Sequence, residues 1–252
     1  MAQKMQIRHQ QAPKGTMFWY KVHYMGRKFL LDFRYVLDSE VREVMRSPLM
    51  TGWIDKLDEK IQLLSMEVQS FDKFGPRVAF IKCKVRVVDP QGHFSDQVLF
   101  LRGDAVSVLP ILICEGREYV AMVRQMRVAV GSVGWLEIPA GMLDGSNQIA
   151  VKALDELHEE LGIKFAQKDL KRLIEQPVAL SGGACDEMMH FFYTRMDVTR
   201  AQLEEIHDRR TGLADENEYL RVEVVPIDEL VTSADAKTLL AYTYYRMKYP
   251  KE

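Results

Sequence analysis

The stretch from Trp135 to Gly162 constrains the fold more than any other part of this chain. Trp135 to Ile138 reads as a short strand, Pro139-Ala140-Gly141 ends it, and Asn147 to Leu161 carries the clearest helical period in the sequence. Ile149, Ala150, Ala153, Leu154, Leu157 and Leu161 recur at three- and four-residue spacing, so one side of this helix must be covered by other structure. Gly162 follows the last apolar position, where a helix that stops in a left-handed residue places glycine.

The opposite side of the same helix is acidic. Glu156, Glu159 and Glu160 stand at i, i+3 and i+4 and therefore share a face. Three like charges in neighbouring turns repel one another, and Lys152 and Lys164, each four residues away at the edge of the cluster, offset only part of that repulsion. The bland reading is a solvated acidic face. The sharper one is a hard-cation site, because Mg²⁺ takes oxygen ligands and keeps waters for a phosphate substrate. The flanks favour the sharper reading: the Pro139-Ala140-Gly141 turn puts a backbone carbonyl where it could join such ligands.

Elsewhere the chain alternates between strand and helix patterns. Asp38 to Leu64 has a helical stripe (Val41, Val44, Met45, Trp53, Ile54, Leu57) broken at Pro48. Ile81, Cys83, Val85 and Val87 alternate with Lys82, Lys84 and Arg86, which predicts a strand with one buried face across Val78 to Val88. With Gln97 to Leu101 it gives a meander. Ala105 to Cys114 and Glu118 to Arg124 flank Glu115-Gly116 as a hairpin. Leu173 to Ala179, Met188 to Thr194 and Tyr219 to Pro226 are further strands, Glu204 to Arg210 is loop or short helix, and Asp235 to Met247 is a final helix capped by Ser233. Strands and helices in mixed order predict α+β or an α/β sandwich, with an N-terminal β-rich part over 1–101 and a second domain over 102–252.

Composition removes other classes. The chain has 252 residues, 47% hydrophobic and 28% charged, which excludes disordered and collagen-like chains. A formal net charge of -2 argues against a generally basic nucleic-acid binder. The three cysteines, Cys83, Cys114 and Cys185, form no paired motif, so they read as reduced thiols of an intracellular protein. No apolar run is long enough to span a membrane. The first 31 residues carry six Lys or Arg and no acid, a bias shared with mitochondrial transit peptides, yet Met17 to Tyr24 is aromatic and strand-like, which suits a structured arm. The expected location is cytoplasmic or mitochondrial.

The segment Gly141 to Ile163 resembles the Nudix box, G-x5-E-x7-R-E-U-x-E-E-x-G-U with U aliphatic. Gly141, Glu156, Leu157, Glu159, Glu160, Gly162 and Ile163 match in register. Asn147 stands at the family's first Glu and Asp155 at its Arg, two residues that form a bracing ion pair in the family. Replacing both leaves no charge stranded by a lost mate, although Asp155 adds negative charge beside the cluster. Arg102-Gly103-Asp104, Gln125-Met126-Arg127, Ser181 to Glu187 and Gly212 to Glu218 follow the order seen in ADP-ribose and ADP-sugar diphosphatases. Phe71 to Gly75 with Arg77 to Phe80 is similar to the plant ADP-sugar enzymes. The resemblance runs from about Leu30 to the C-terminus.

What the resemblance implies is specific. The fold is a Nudix α/β/α sandwich with an N-terminal β-rich domain that exchanges contacts between protomers, so a homodimer is expected. Glu156 and Glu160 are the principal Mg²⁺ ligands, Mn²⁺ serving as a substitute, with Glu159 beside them in a metal or catalytic role and the Ala140 carbonyl completing the shell. Glu187 is the general base or a further ligand. Arg102 and Arg127 hold the phosphates or the terminal ribose, and Glu216 or Glu218 contacts the distal sugar. The substrate is a nucleotide sugar, cut by water to AMP and a sugar phosphate.

Two rivals stand beside this reading: a Nudix-fold binding or scaffold protein with little turnover, favoured by Asn147 and Asp155, and an enzyme acting on RNA 5′ ends, favoured only by the basic arm. His158 reads as solvent-facing, His190 as structural, and Cys185 as no nucleophile because no base accompanies it. Gly182 and Gly183 suggest a loop that approaches closely or uses backbone angles reserved for glycine. Trp135 suits either core packing or stacking on an adenine.

Overall fold

The computed structural model describes residues 5–10, 19–24, 26–33, 38–213 and 218–250. Contacts divide the chain into two compact units, Met1–Gly103 with Ser181–Glu187, and Asp104–Leu180 with Met188–Glu252. The sequence-expected boundary at 101/102 differs from this division, which gives Arg102, Gly103 and the loop 181–187 to the first unit. Among the described residues, no helix is long and apolar enough to cross a membrane.

In the first unit the described strands are β1 (Gln6–Gln10), β2 (Trp19–Tyr24), β3 (Arg27–Phe33), β4 (Gln62–Phe74), β5 (Arg77–Val88) and β6 (Phe94–Leu101), which pair in chain order. All neighbours are antiparallel except β3 and β4, whose parallel pairing is allowed by the helical crossover α1 (Asp38–Arg46) and α2 (Pro48–Lys56). Ser47 caps α2, its hydroxyl accepting from the Met50 amide at 3.3 Å, and Pro48 begins the helix where no donor is needed. Val41, Val44, Met45 and Ile54 pack on Leu31, Met66, Ile81 and Cys83. The alternation read across Val78 to Val88 is present: Ile81, Cys83 and Val85 are buried while Lys82, Lys84 and Arg86 are exposed. The loop 181–187 belongs here because Asp186 Oδ1 accepts from the amides of Arg102 (2.7 Å) and Gly103 (3.2 Å), and the Ala184 carbonyl accepts from Phe100 at 2.7 Å. The aromatic arm expected from Met17 onward is strand from Trp19, and Met17 and Phe18 lie outside the described residues.

The second unit is a sandwich. Its strands are β7 (Ala105–Cys114), β8 (Arg117–Arg127), β9 (Ser132–Glu137), β10 (Ala140–Met142), β11 (Lys171–Arg172), β12 (Val178–Ala179), β13 (Met188–Asp197), β14 (Arg210–Thr211) and β15 (Leu220–Pro226). The sheet runs β11-β13-β7-β8-β15-β14, with β9 beside β8 and β10 beside β7; β13 and β7 are parallel. Nearly every residue of β7 is buried, because both faces of the sheet are covered. Val106, Val108 and Leu112 face α3 (Ile149–Leu161) and α4 (Arg200–Ile206) through Ala153, Leu157, Leu161, Leu203 and Ile206. Ala105, Leu109 and Ile111 face α5 (Ala236–Lys248) through Ala241 and Tyr245. The period of two thus sorts one strand into two separate cores.

Several boundaries differ from the sequence reading. The strand expected over Leu173 to Ala179 is two short pieces, β11 and β12, with Leu173 and Ile174 buried between them; Pro177 lacks the donor that a continuous ladder needs. Glu204 to Arg210, read as loop or short helix, is the end of the short helix α4 followed by a turn, and α4 begins earlier, at a capping box in which Thr199 and Gln202 satisfy each other's backbone amides. Helix α3 starts at Ile149 rather than Asn147. Helix α5 is capped by Asp235, whose Oδ2 accepts from the Thr238 amide at 3.0 Å, and not by Ser233.

Phe191 is fully buried on the α5 face. Phe191→Ala is expected to lower the unfolding free energy by about 3–5 kcal/mol, and Thr199→Ala, which removes the α4 cap, by only about 1 kcal/mol. Urea unfolding followed by circular dichroism measures both, and equal losses would contradict this division between core and cap.

Candidate active site

The second unit brings Glu156 and Glu160 to the buried edge of α3. Glu156 is 9% exposed and Glu160 2% exposed, both beside the core residues Leu157 and Leu161, while Glu159 is half-buried. The acidic face is therefore not a solvated one. Room for Glu156 comes from Gly141: a Cβ built there would lie 1.9 Å from the Glu156 carboxyl carbon. Gly141 has no positive φ, so close approach and not backbone freedom requires glycine here. Ala140, the expected carbonyl donor, is the preceding residue in β10, and the Pro139 carbonyl before it accepts from the Val108 amide and the Ser107 hydroxyl, both at 3.0 Å.

The last turn of α3 is held from outside. Thr211 Oγ1 donates to the Glu160 carbonyl at 2.5 Å, the Gly212 amide to the Glu159 carbonyl at 3.3 Å, and Arg209 to the carbonyls of Leu161 (3.3 Å) and Gly162 (3.0 Å). These are the carbonyls a helix end leaves without partners, and a cation beside them also opposes the helix dipole. Gly162 closes the helix in the left-handed region at φ 65°. The carboxylates thus project from a turn fixed at its backbone.

Burial governs their charge. It pushes the Glu160 carboxyl well above the ordinary range, and Glu156, Glu218 and Glu137 push it further while Arg127 opposes them. Glu160 Oε2 is buried without a hydrogen-bond partner among the described residues. Glu156 is also raised by burial, against the opposing effect of Lys152, whose Nζ lies 2.8 Å from Oε1. An amine therefore does occupy one oxygen of Glu156, while Glu160 has none. Among the described residues no three Asp, Glu, His or Cys side chains converge into a ready-made ligand set. Hard oxygen donors with one buried unpartnered atom still suit Mg²⁺.

The other expected residues are distributed as follows. Arg127 pairs with Glu137 at 2.6 Å through one edge of its guanidinium, and its side chain is 43% exposed. Glu218 lies close enough to raise both Glu156 and Glu160, its amide bonded to the Leu213 carbonyl at 3.0 Å. Glu216 lies outside the described residues. In the first unit, Arg102 and Glu187 are an ion pair at 3.0 Å. Gly183 has open space where a Cβ would stand. Burial raises the Cys185 thiol, as suits an unreactive cysteine. His158 is exposed and His190 is buried with Asp104 at 3.8 Å. Trp135 borders a cavity of about 640 Å³ together with Met122, Leu136, Val225 and Leu230. Sequence reasoning missed Glu137, although an acid in an otherwise apolar strand was its signal.

No protein-family model matches the chain. It is 32% identical to "Nudix hydrolase 14, chloroplastic" of Arabidopsis thaliana over 230 residues, 84% of this chain and 74% of that one. The chain belongs to the Nudix hydrolase family. It is an enzyme of that family with an altered box. "ADP-ribose pyrophosphatase" of Bacillus subtilis (strain 168) is 31% identical over 165 residues, 63% of this chain and 80% of that one. A solved "ADP compounds hydrolase" shares the fold, with TM-score 0.55 and 20% identity over 77% of this chain and 96% of that one.

This Nudix hydrolase holds its loop before α3 without the family's brace. Asn147 and Asp155 are both exposed. Instead Leu143 is buried and its amide donates to the Asp104 carbonyl at 2.9 Å, the Ser146 amide returns to Leu143 at 2.7 Å, and Asp144 and Gly145 turn the chain with positive φ.

Glu160 carries a pH consequence. Its folded value is raised above 4.5, so the native form favours the protonated acid; the associated stability is complete below pH of about 4.5 and is lost as pH rises through the folded value. In EDTA, the melting temperature is expected to fall as pH rises through that window, Mg²⁺ to restore it, and Glu160→Gln to flatten both responses. A wild-type profile indifferent to Mg²⁺ at neutral pH would contradict the site. Gly141→Ala is expected to abolish the Mg²⁺ response while the protein still folds.

Proposed function

We propose that this enzyme hydrolyses the diphosphate of ADP-ribose or a related ADP-sugar, in a Mg²⁺-dependent reaction, to AMP and a sugar phosphate. One observation carries the reading: a buried carboxylate, Glu160, with an unpartnered oxygen beside a second buried carboxylate. A protein has no stabilising use for such a group without a cation. Glu156, Glu160 and the Ala140 carbonyl would hold the metal, with Glu159 alongside. When bound, it neutralises charge on the diphosphate and makes the phosphorus open to water. Arg127 adds a guanidinium to the same anion, and Glu218 borders the carboxylates. The roles of Arg102 on phosphate and of Glu187 as acceptor of the water's proton rest on the sequence match. The relatives' names, "ADP-ribose pyrophosphatase" above all, support the substrate class.

The second reading, a Nudix-fold binder with little turnover, is favoured by the Lys152–Glu156 ion pair and by Asn147 and Asp155. A metal held by Glu156 would share that carboxylate with the Lys152 ammonium. A homodimer is supported by the exposed apolar side chains of the β8–β9 turn, Met126, Val128, Val130 and Val133.

A panel of nucleoside diphosphate sugars with Mg²⁺, followed by chromatography, is expected to release AMP from ADP-sugars, with about 100-fold or greater loss in Glu160→Gln and in Glu187→Gln. Lys152→Met is expected to leave activity equal or higher. Binding of ADP-ribose and Mg²⁺ without any AMP would instead establish the binder.

A further inference from the structure

The first turn of α5 reaches the strand that leads into the carboxylate site. Glu137, the last residue of β9, is 3% exposed yet fully engaged. Its Oε1 accepts from Gln125 Nε2 at 2.8 Å and from Arg127 Nε at 2.7 Å, and its Oε2 accepts from Lys237 Nζ. Lys237 also reaches Asp235 Oδ1 at 3.1 Å. Asp235 Oδ2 accepts from the Thr238 hydroxyl at 2.6 Å, and Thr238 Oγ1 in turn accepts from the Ile138 amide at 3.0 Å. These bonds close a ring: Glu137, Lys237, Asp235, Thr238, Ile138 and back along the chain to Glu137.

The ring ends where the site begins. Pro139 and Ala140 follow Ile138, and Gly141 receives the Glu156 carboxylate. Arg127, whose side chain is 43% exposed, is tied to Glu137 through one edge of its guanidinium. Glu137 and Arg127 both act on the charge of Glu160, so the clamp and the carboxylates share one electrostatic neighbourhood. A buried carboxylate that holds two cations is costly to assemble and returns little stability over an apolar packing. Its use here is geometric.

We infer that Glu137 is a positioning residue, fastened by Lys237 of α5, that aims Arg127 at the diphosphate. The C-terminal helix is thereby part of the active-site frame. This rests on the proposed diphosphate chemistry, and the ligand it concerns is the diphosphate group itself. A merely structural pair would make Glu137 and Arg127 independent in ligand binding; a positioning pair makes Glu137 matter only while Arg127 is present.

The test is a double-substitution cycle on the full chain, with Mn²⁺ and inorganic diphosphate as probes. Calorimetry measures diphosphate binding in the presence of Mn²⁺ for wild type, Glu137→Gln, Arg127→Ala and the double variant. Each single substitution is expected to weaken binding about tenfold, the double variant no further, and Lys237→Arg to retain wild-type affinity. Losses that multiply to about a hundredfold in the double variant would overturn the inference, as would unchanged affinity in Glu137→Gln. Should Glu137→Gln fail to fold because Lys237 is left buried, Glu137→Gln with Lys237→Met removes both charges and takes its place in the cycle. AMP release from ADP-ribose is scored separately on wild type. An enzyme that binds diphosphate and shows the coupling, but releases no AMP, loses the substrate assignment and keeps the clamp; an active enzyme with multiplying losses loses the clamp alone. Wild type that binds no diphosphate overturns both.

Discussion

Two carboxylates kept out of water beside one another are what the second unit is arranged around. Glu160 is buried with an oxygen that no described residue satisfies, and Glu156 lies in a notch that exists only because residue 141 has no side chain. Desolvation of a carboxylate opposes folding, so the surrounding structure must be stable enough to impose it. That stability comes from the sandwich: Leu157 and Leu161, neighbours of the two acids on α3, are locked into the core formed by Val106, Val108 and Val222. The apolar stripe and the acidic face are therefore one design, since the same helix register that buries the leucines drags the glutamates inward.

The frame is built from distant parts of the chain. The end of α3 is held by Arg209, Thr211 and Gly212, and the strand before it by Asp235, Lys237 and Thr238. The same logic explains how a Nudix box can lack its usual ion pair. Asn147 and Asp155 face solvent, where an ion pair contributes little to stability. Buried Leu143 and the backbone bonds around it hold the loop instead.

Much of this architecture was legible beforehand. The strands of the second unit, the one-sided helix, its glycine stop and the alternating face of β5 follow from periods of two and 3.6 residues that any covered sheet or helix must show. The failures have local causes. Leu173 to Ala179 is apolar enough for a strand, but Pro177 interrupts the ladder. The capping box at Thr199 and Gln202 marks the start of α4 in the sequence, but the helix is too short to show a clear apolar period. Ser233 and Asp235 are both good caps, and only the hydrogen bond to Thr238 decides between them.

The sequence by itself determined that Glu156, Glu159 and Glu160 share a helical face, that Gly141 and Gly162 bound the segment, and that the family is Nudix, because helical spacing and motif register are properties of the chain order. Only the tertiary structure decided which acids are buried, that Lys152 sits on Glu156, that Glu137 joins Arg127 to Lys237, and that Gly141 is needed for room and not for backbone angle. Those facts depend on which residues, a hundred positions apart in the case of Glu137 and Lys237, are brought within reach once both faces of the sheet are covered. Burial and pairing are set by packing in three dimensions, and no local pattern encodes them.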